Sequence, residues 1–188
     1  MQEDEREIIK RCQSGDEYAF EQLFYRYQET VYNVAYRMMG NRQDAEDITQ
    51  EVFSRVYQKL SSLKETSAFS TWLYRITSNL CVDEINKRKK QAIEFGFTQE
   101  NLDTFRSDFT PEDKVIADEE QALLWEAINS LKAEHRIIII LRDIEGLSYK
   151  ELKRVLKCSM GRVKSRLHDA RRKLRTILKE KIKCDAKK

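Results

Sequence analysis

Turn-forming residues are scarce in this chain, which holds one Pro and five Gly in 188 residues. Sheets need frequent reversals, and reversals lean on Gly and Pro, so a β-sandwich fits poorly. Apolar residues instead recur at three- and four-residue steps, the period of a helix buried along one face. The sequence therefore predicts an all-α protein. Its length suits one ordinary domain or two small ones, and its 36% charged residues suit helices with solvated outer faces. The longest apolar run, Ile137 to Leu141, falls far short of the roughly 18 residues a membrane span requires. The opening MQEDEREIIKRC is unlike a secretory signal. The expected location is cytoplasmic, with no direct membrane insertion.

Cys12, Cys81, Cys158 and Cys184 are far apart, form no C-x-x-C pair and have only His135 and His168 to help them. Metal ligands come in close-set pairs, so no metal and no cofactor is expected. The first three cysteines read as small apolar residues near packed faces, while Cys184 sits in a charged tail.

Charge is distributed unevenly. Residues 1–92 carry net −1, residues 93–120 net −7 and residues 121–188 net +11, which together make the overall +3. A basic C-terminal unit suits a polyanion partner, because Lys and Arg neutralise phosphates and release counterions; a solvated helix face accounts for the same charge equally well. The bridge from Ile93 to Pro111 is acidic, interrupted by Gly96 and without sustained period, as expected of a tether. Its Phe95, Phe97, Phe105 and Phe109 either dock in a partner's groove or pack back onto the units.

In the N-terminal unit, Phe20, Leu23, Phe24, Tyr27, Val31, Val34, Ala35 and Met38 form one helical stripe, which Gly40 and Asn41 end. A following helix sets Ala45, Val52, Val56 and Leu60 on one side. Asp47, Gln50, Glu51 and Ser54 lie opposite, with Phe53 at the edge, and read first as plain solvated surface. A third helix, Ser70 to Lys90, puts Phe69, Leu73, Ile76 and Leu80 on a stripe, with Trp72, Asn79 and Asp83 beside it. It closes on the basic run Lys87 to Lys90, as suits a helix C-terminus or a surface for single-stranded nucleic acid.

Sharper chemistry stands in the C-terminal unit. Ser148, Tyr149, Lys150 and Glu151 form an S-x-x-E capping box, with Leu147 and Leu152 as its hydrophobic staple. That helix should run to Leu156. Ser159 caps the next, whose Val163, Leu167, Ala170, Leu174 and Ile177 should face inward. Two capped helices across a short turn make a helix-turn-helix. The second turns Gly161, Ser165, His168 and Arg172 outward, flanked by Arg162 and Lys164, where they suit base edges in a major groove. Arg166, Arg171, Lys173 and Arg175 suit phosphates.

Three blocks, DAEDITQEVF at 44–53, SAFSTWLYRITSNLCVDEI at 67–85, and EGLSYKELKRVL with GRVKSRLHDARRKL within 145–174, together resemble bacterial sigma factors of the extracytoplasmic-function (ECF) type. The resemblance implies sigma region 2 at 1–92, a linker at 93–112, sigma region 4 at 113–182 and a basic tail at 183–188. Its implied partners are core RNA polymerase, through the clamp coiled coil and the flap, promoter DNA and an anti-sigma factor; no small-molecule substrate and no catalysis of its own are implied. It assigns Asp44, Asp47, Gln50, Glu51 and Phe53 to core polymerase. The minus-ten element falls to Leu63, Lys64, Trp72, Asn79, Lys87 and Arg88. The minus-thirty-five element falls to Arg162, Lys164, Ser165, Arg166, His168, Arg171 and Arg172. Leu63 stands where Phe is common in the family, and Arg162 and Asp169 depart from the usual residues near the reading face, which leaves the promoter sequence open. A stand-alone operator-binding regulator would leave the Asp47 face and the Trp72 to Asp83 block without a role. A nucleic-acid enzyme lacks paired acids or an activated nucleophile at any useful spacing.

Overall fold

The computed structural model describes residues 4–95 and 119–185. Most of the bridge, with Phe97, Phe105, Phe109 and Pro111, lies outside the described residues, as do the start of the predicted second unit at 113–118 and the end of the tail at 186–188. Eight α-helices and no strand occur among the described residues: α1 (Glu5–Gln13), α2 (Glu17–Met39), α3 (Arg42–Lys59), α4 (Phe69–Glu94), α5 (Glu119–Asn129), α6 (Ala133–Ile139), α7 (Tyr149–Val155) and α8 (Met160–Asp185). Two short 3-10 turns, Leu60–Ser62 and Thr66–Ala68, join α3 to α4, and a π-helical turn, Ile140–Ile144, continues α6.

Side-chain caps set the starts of the first three helices by giving orphan backbone N–H groups an acceptor. Asp16 accepts from the Ala19 amide at 3.0 Å, and Asn41 from the Asp44 amide at 2.8 Å. Gly40 ends α2 with φ 81°, a left-handed conformation that costs glycine nothing. Asn41 takes no part in that ending, since its φ is −145° and it opens α3 instead of closing α2. Near the other end of the chain the capping box forms as expected. The Glu151 carboxylate accepts from the Ser148 amide at 2.7 Å, and the Ser148 hydroxyl accepts from the Glu151 amide at 3.3 Å.

The α2 stripe buries Leu23, Val31, Val34 and Met38 against Val52, Phe53 and Val56 of α3 and Phe69, Leu73 and Leu80 of α4. Aromatic edges lock this packing: Phe24 meets Phe53 at 4.7 Å between centroids, and Tyr27 meets Phe69 at 5.2 Å, spacings favoured by ring quadrupoles. In the second half, Ile137 to Leu141 are all buried, together with Leu152, Val155, Val163, Leu167 and Ala170. Leu174 and Ile177, expected inward, are only half-buried, at the edge of the core where α8 is flanked by α5 and Lys181 pairs with Glu126 at 3.0 Å.

The two halves pack directly on each other. Helix α4 lies against α6 and α7, α2 against α6 and the π-helical turn, and one apolar core runs through both. Polar ties seal the contact. Glu145 accepts from the Arg37 guanidinium in an ion pair and from the Tyr74 hydroxyl at 3.1 Å. Arg136, only 3% exposed, donates to the carbonyls of Met38 at 2.6 Å and of Asn129. A cation beside the last carbonyls of two helices answers their partial negative charge.

Candidate polymerase-docking and DNA-contacting surfaces

Helix α3 turns Asp47, Gln50 and Glu51 to solvent, and Glu51 holds Arg55 one turn on, at 2.7 Å. Two residues grouped with them behave differently. Phe53 is 5% exposed and packs edge-on against Phe24, which removes it from the exposed face. Its position borders the Val52 and Val56 stripe, and burying a phenyl ring gains about 2 kcal/mol. Asp44 turns toward α4, where its carboxylate accepts from Arg88 at 2.7 Å. That guanidinium, with help from Asn41, holds the Asp44 carboxyl below the ordinary carboxylate range. Asp44 and Arg88, assigned from sequence to different partners, are thus partners of each other. They close one end of an open cleft lined by Asp47, Glu51, Asp83 and Lys87.

The second surface is carried by α4 and the segment before it. Trp72, Asn79, Asp83 and Lys87 fall on one side of α4 at helical spacing, over roughly 22 Å at about 1.5 Å per residue. Asn79 and Lys87 are exposed, while Trp72 is half-buried against Phe69 at 5.9 Å. Inward hydroxyls complete the opposite side: Thr77 donates to the Leu73 carbonyl and Ser78 to the Tyr74 carbonyl. Leu63 is half-buried, and Lys64 exposed beside it, in the segment between the two 3-10 turns. A protruding cation, a partly open indole, an amide and a second cation can stack and hydrogen-bond unpaired bases while holding their phosphates.

The third surface is the start of α8. Lys157, with φ 45°, makes the sharp turn out of α7, and the Ser159 hydroxyl accepts from the Arg162 amide at 3.2 Å. Arg162, Lys164, Ser165 and His168 are exposed over the first turns, and Arg166 is half-buried. Arg172 pairs with Asp169 at 3.1 Å, and Arg171 binds Asp143 of the π-helical turn. These two arginines are therefore held along the flank of the helix, whereas Lys164, Ser165 and His168 stand forward at the end that enters a groove in this motif.

Sequence reasoning missed the seam between the halves: Arg37, Tyr74, Arg136 and Glu145. One signal pointed to it. An arginine directly before the apolar run Ile137 to Leu141 has to find acceptors inside the protein.

The sigma-70 region 2 family model matches residues 23–91, and the sigma-70 region 4 model matches residues 121–174. The chain is 36% identical over 179 residues to the ECF RNA polymerase sigma factor SigW of Bacillus subtilis, covering 92% of this chain and 95% of the relative. It is 33% identical to the RNA polymerase sigma-H factor of Pseudomonas aeruginosa, over 90% of this chain and 91% of that one. The sigma factor RpoE of Bartonella quintana, solved in complex with the anti-sigma factor NepR, shares the fold with a TM-score of 0.68 at 25% identity, covering 85% of this chain and 96% of that chain.

Proposed function

The chain belongs to the sigma-70 family, in its ECF group, and on that premise we propose how its three surfaces divide the work of promoter-specific transcription initiation. Asp47, Gln50 and Glu51 on α3 dock on core RNA polymerase at the clamp coiled coil. The segment from Leu63 and the α4 row of Trp72, Asn79 and Lys87 hold the melted minus-ten strand. Lys164, Ser165 and His168 at the start of α8 read the minus-thirty-five duplex, with Arg171 and Arg172 toward its phosphates. The second half also meets the polymerase flap, and the bridge runs between the two DNA-binding halves. The protein supplies recognition and strand capture in the cytoplasm, and the polymerase supplies the chemistry. An anti-sigma factor, as seen with the Bartonella relative, is the natural antagonist.

One observation carries this reading. A single chain presents an exposed acid-amide face on α3 and a capped helix-turn-helix with exposed basic and hydroxyl side chains. A free-standing operator binder has no use for the first.

Run-off transcription with purified bacterial core polymerase tests it. Transcripts should start at defined sites only when the protein is added, and aligned upstream sequences should share two elements. Binding of duplex DNA by the protein, with no association with core and no transcript, would overturn it in favour of a stand-alone regulator.

A further inference from the structure

Helix α1 ends on Gln13, a residue that precedes the stretch matched by the region 2 family model, 23–91. Its side-chain amide reaches across to the far end of α3. There Nε2 donates to the Leu60 carbonyl at 2.9 Å and to the Leu63 carbonyl at 2.8 Å. The first oxygen opens the 3-10 turn Leu60–Ser62 and the second belongs to the residue that follows it; the Leu60 carbonyl also accepts from the Leu63 amide at 3.0 Å, so Gln13 adds a second donor there. Both N–H bonds of one amide are thereby used on one turn, which fixes its orientation as well as its position.

The place of that turn gives the contact its significance. The chain leaves it through Leu63, in extended conformation at φ −74° and ψ 107°, and immediately forms the Lys64 to Thr66 segment ahead of α4. The next turn, Thr66–Ala68, has no side-chain cap. Among the described residues, the other hydrogen bonds here are local: Ser62 to the Lys59 carbonyl, the Leu63 amide to Leu60 and the Ala68 amide to Glu65. Local bonds shape a turn without aiming it; Gln13 ties it to a separate helix. Helix α1 is itself well anchored, with Ile8 and Ile9 buried and Arg11 paired to Asp16 at 2.8 Å, so the amide projects from a fixed base.

We infer that Gln13 is a positioning residue for minus-ten strand capture: it aims the Leu63 to Thr66 segment without itself touching DNA. This rests on the proposed assignment of that segment to the melted strand. A captured base is read by a pocket, and a pocket is selective only if its walls are held in place. Loss of the amide should therefore relax base preference more than it weakens assembly.

The test uses holoenzyme made from full-length protein and bacterial core polymerase, with a pool of short single-stranded DNA carrying randomised positions as probe. Wild-type holoenzyme should enrich particular bases at the captured position. Gln13→Glu, which replaces the donor with an acceptor facing two carbonyls, and Gln13→Ala should each lower that enrichment about tenfold, with co-purification of core unchanged within about twofold. Gln13→Lys keeps a donor of similar reach and should recover much of the selectivity. Enrichment by Gln13→Ala equal to wild type would overturn the positioning role. So would parallel loss of core association and selectivity in all three variants, which marks a merely structural contact. If wild-type holoenzyme assembles but enriches no base at all, the assignment of the segment to the minus-ten strand fails first, and the inference fails with it.

Discussion

Acidic residues three apart on one helix have different duties when one has a cation facing it. Asp44 is satisfied by Arg88 within the protein, and its charge is neutralised locally. Asp47 and Glu51 project from the next turns, exposed, and Glu51 meets a neighbouring side chain of the same helix. Exposed i,i+4 pairs contribute only about 0.3–0.5 kcal/mol, so a partner can draw Glu51 away at small cost. The double variant Asp47→Lys with Glu51→Lys should weaken association with core polymerase at least about 30-fold, in the range of charge pairs truncated at interfaces. Duplex binding through α8 should persist. Pull-down of core alongside a promoter mobility-shift assay checks this, and normal assembly would remove α3 from the docking surface.

Among the elements, the helix-turn-helix separates a residue that builds the motif from residues that use it. Ser148 closes a reciprocal cap on α7, so Ser148→Ala should cost about 1 kcal/mol of stability, read as a lower denaturation midpoint. Lys164→Ala, at an exposed site, should leave stability within about 0.5 kcal/mol and shift minus-thirty-five preference, by about 1–3 kcal/mol if the contact is bidentate. Equal weakening on every sequence would make Lys164 a phosphate contact. Caps of this kind are legible in the sequence because they are local: Ser148 and Glu151 stand three residues apart, as do Ser159 and Arg162. The stop of α4 is misjudged for the same reason in reverse. The run after Ile85 favours a cap by charge, but Lys, Arg, Gln and Ala are good helix formers, and the helix continues to Glu94 just ahead of Gly96. Phe53 reads as a surface residue because periodicity places a border residue on either side of the line. Least legible is the seam. Apolar spacing shows which face of a helix is buried and not what buries it. Arg136 heading the run Ile137 to Leu141, which is buried without an outward side, is the signal that α6 is covered from two directions, by α8 and by α2 with α4.

For the whole molecule, that seam stands against the length of a promoter. The minus-ten and minus-thirty-five elements are about 25 base pairs apart, roughly 85 Å of duplex at about 3.4 Å per step. A compact body of this chain length is roughly 40 Å across. The packed arrangement is too short to reach both elements, so the proposed function requires the halves to separate when both are engaged. Glu145, drawn to Arg37 and Tyr74, is the natural place to loosen them. Glu145→Lys should lengthen the distance between dyes placed at positions 18 and 179 in the free protein, and the charge swap Arg37→Glu with Glu145→Arg should shorten it again. An unchanged distance in Glu145→Lys would show that apolar contact alone holds the seam. Arg136 gives the parting a particular character. Its bond to the Asn129 carbonyl lies within its own half, and its bond to the Met38 carbonyl crosses the seam. On parting, water has to take over the Met38 oxygen while the Asn129 carbonyl stays within reach of the same guanidinium, and the apolar faces bared at the same time draw the halves back together.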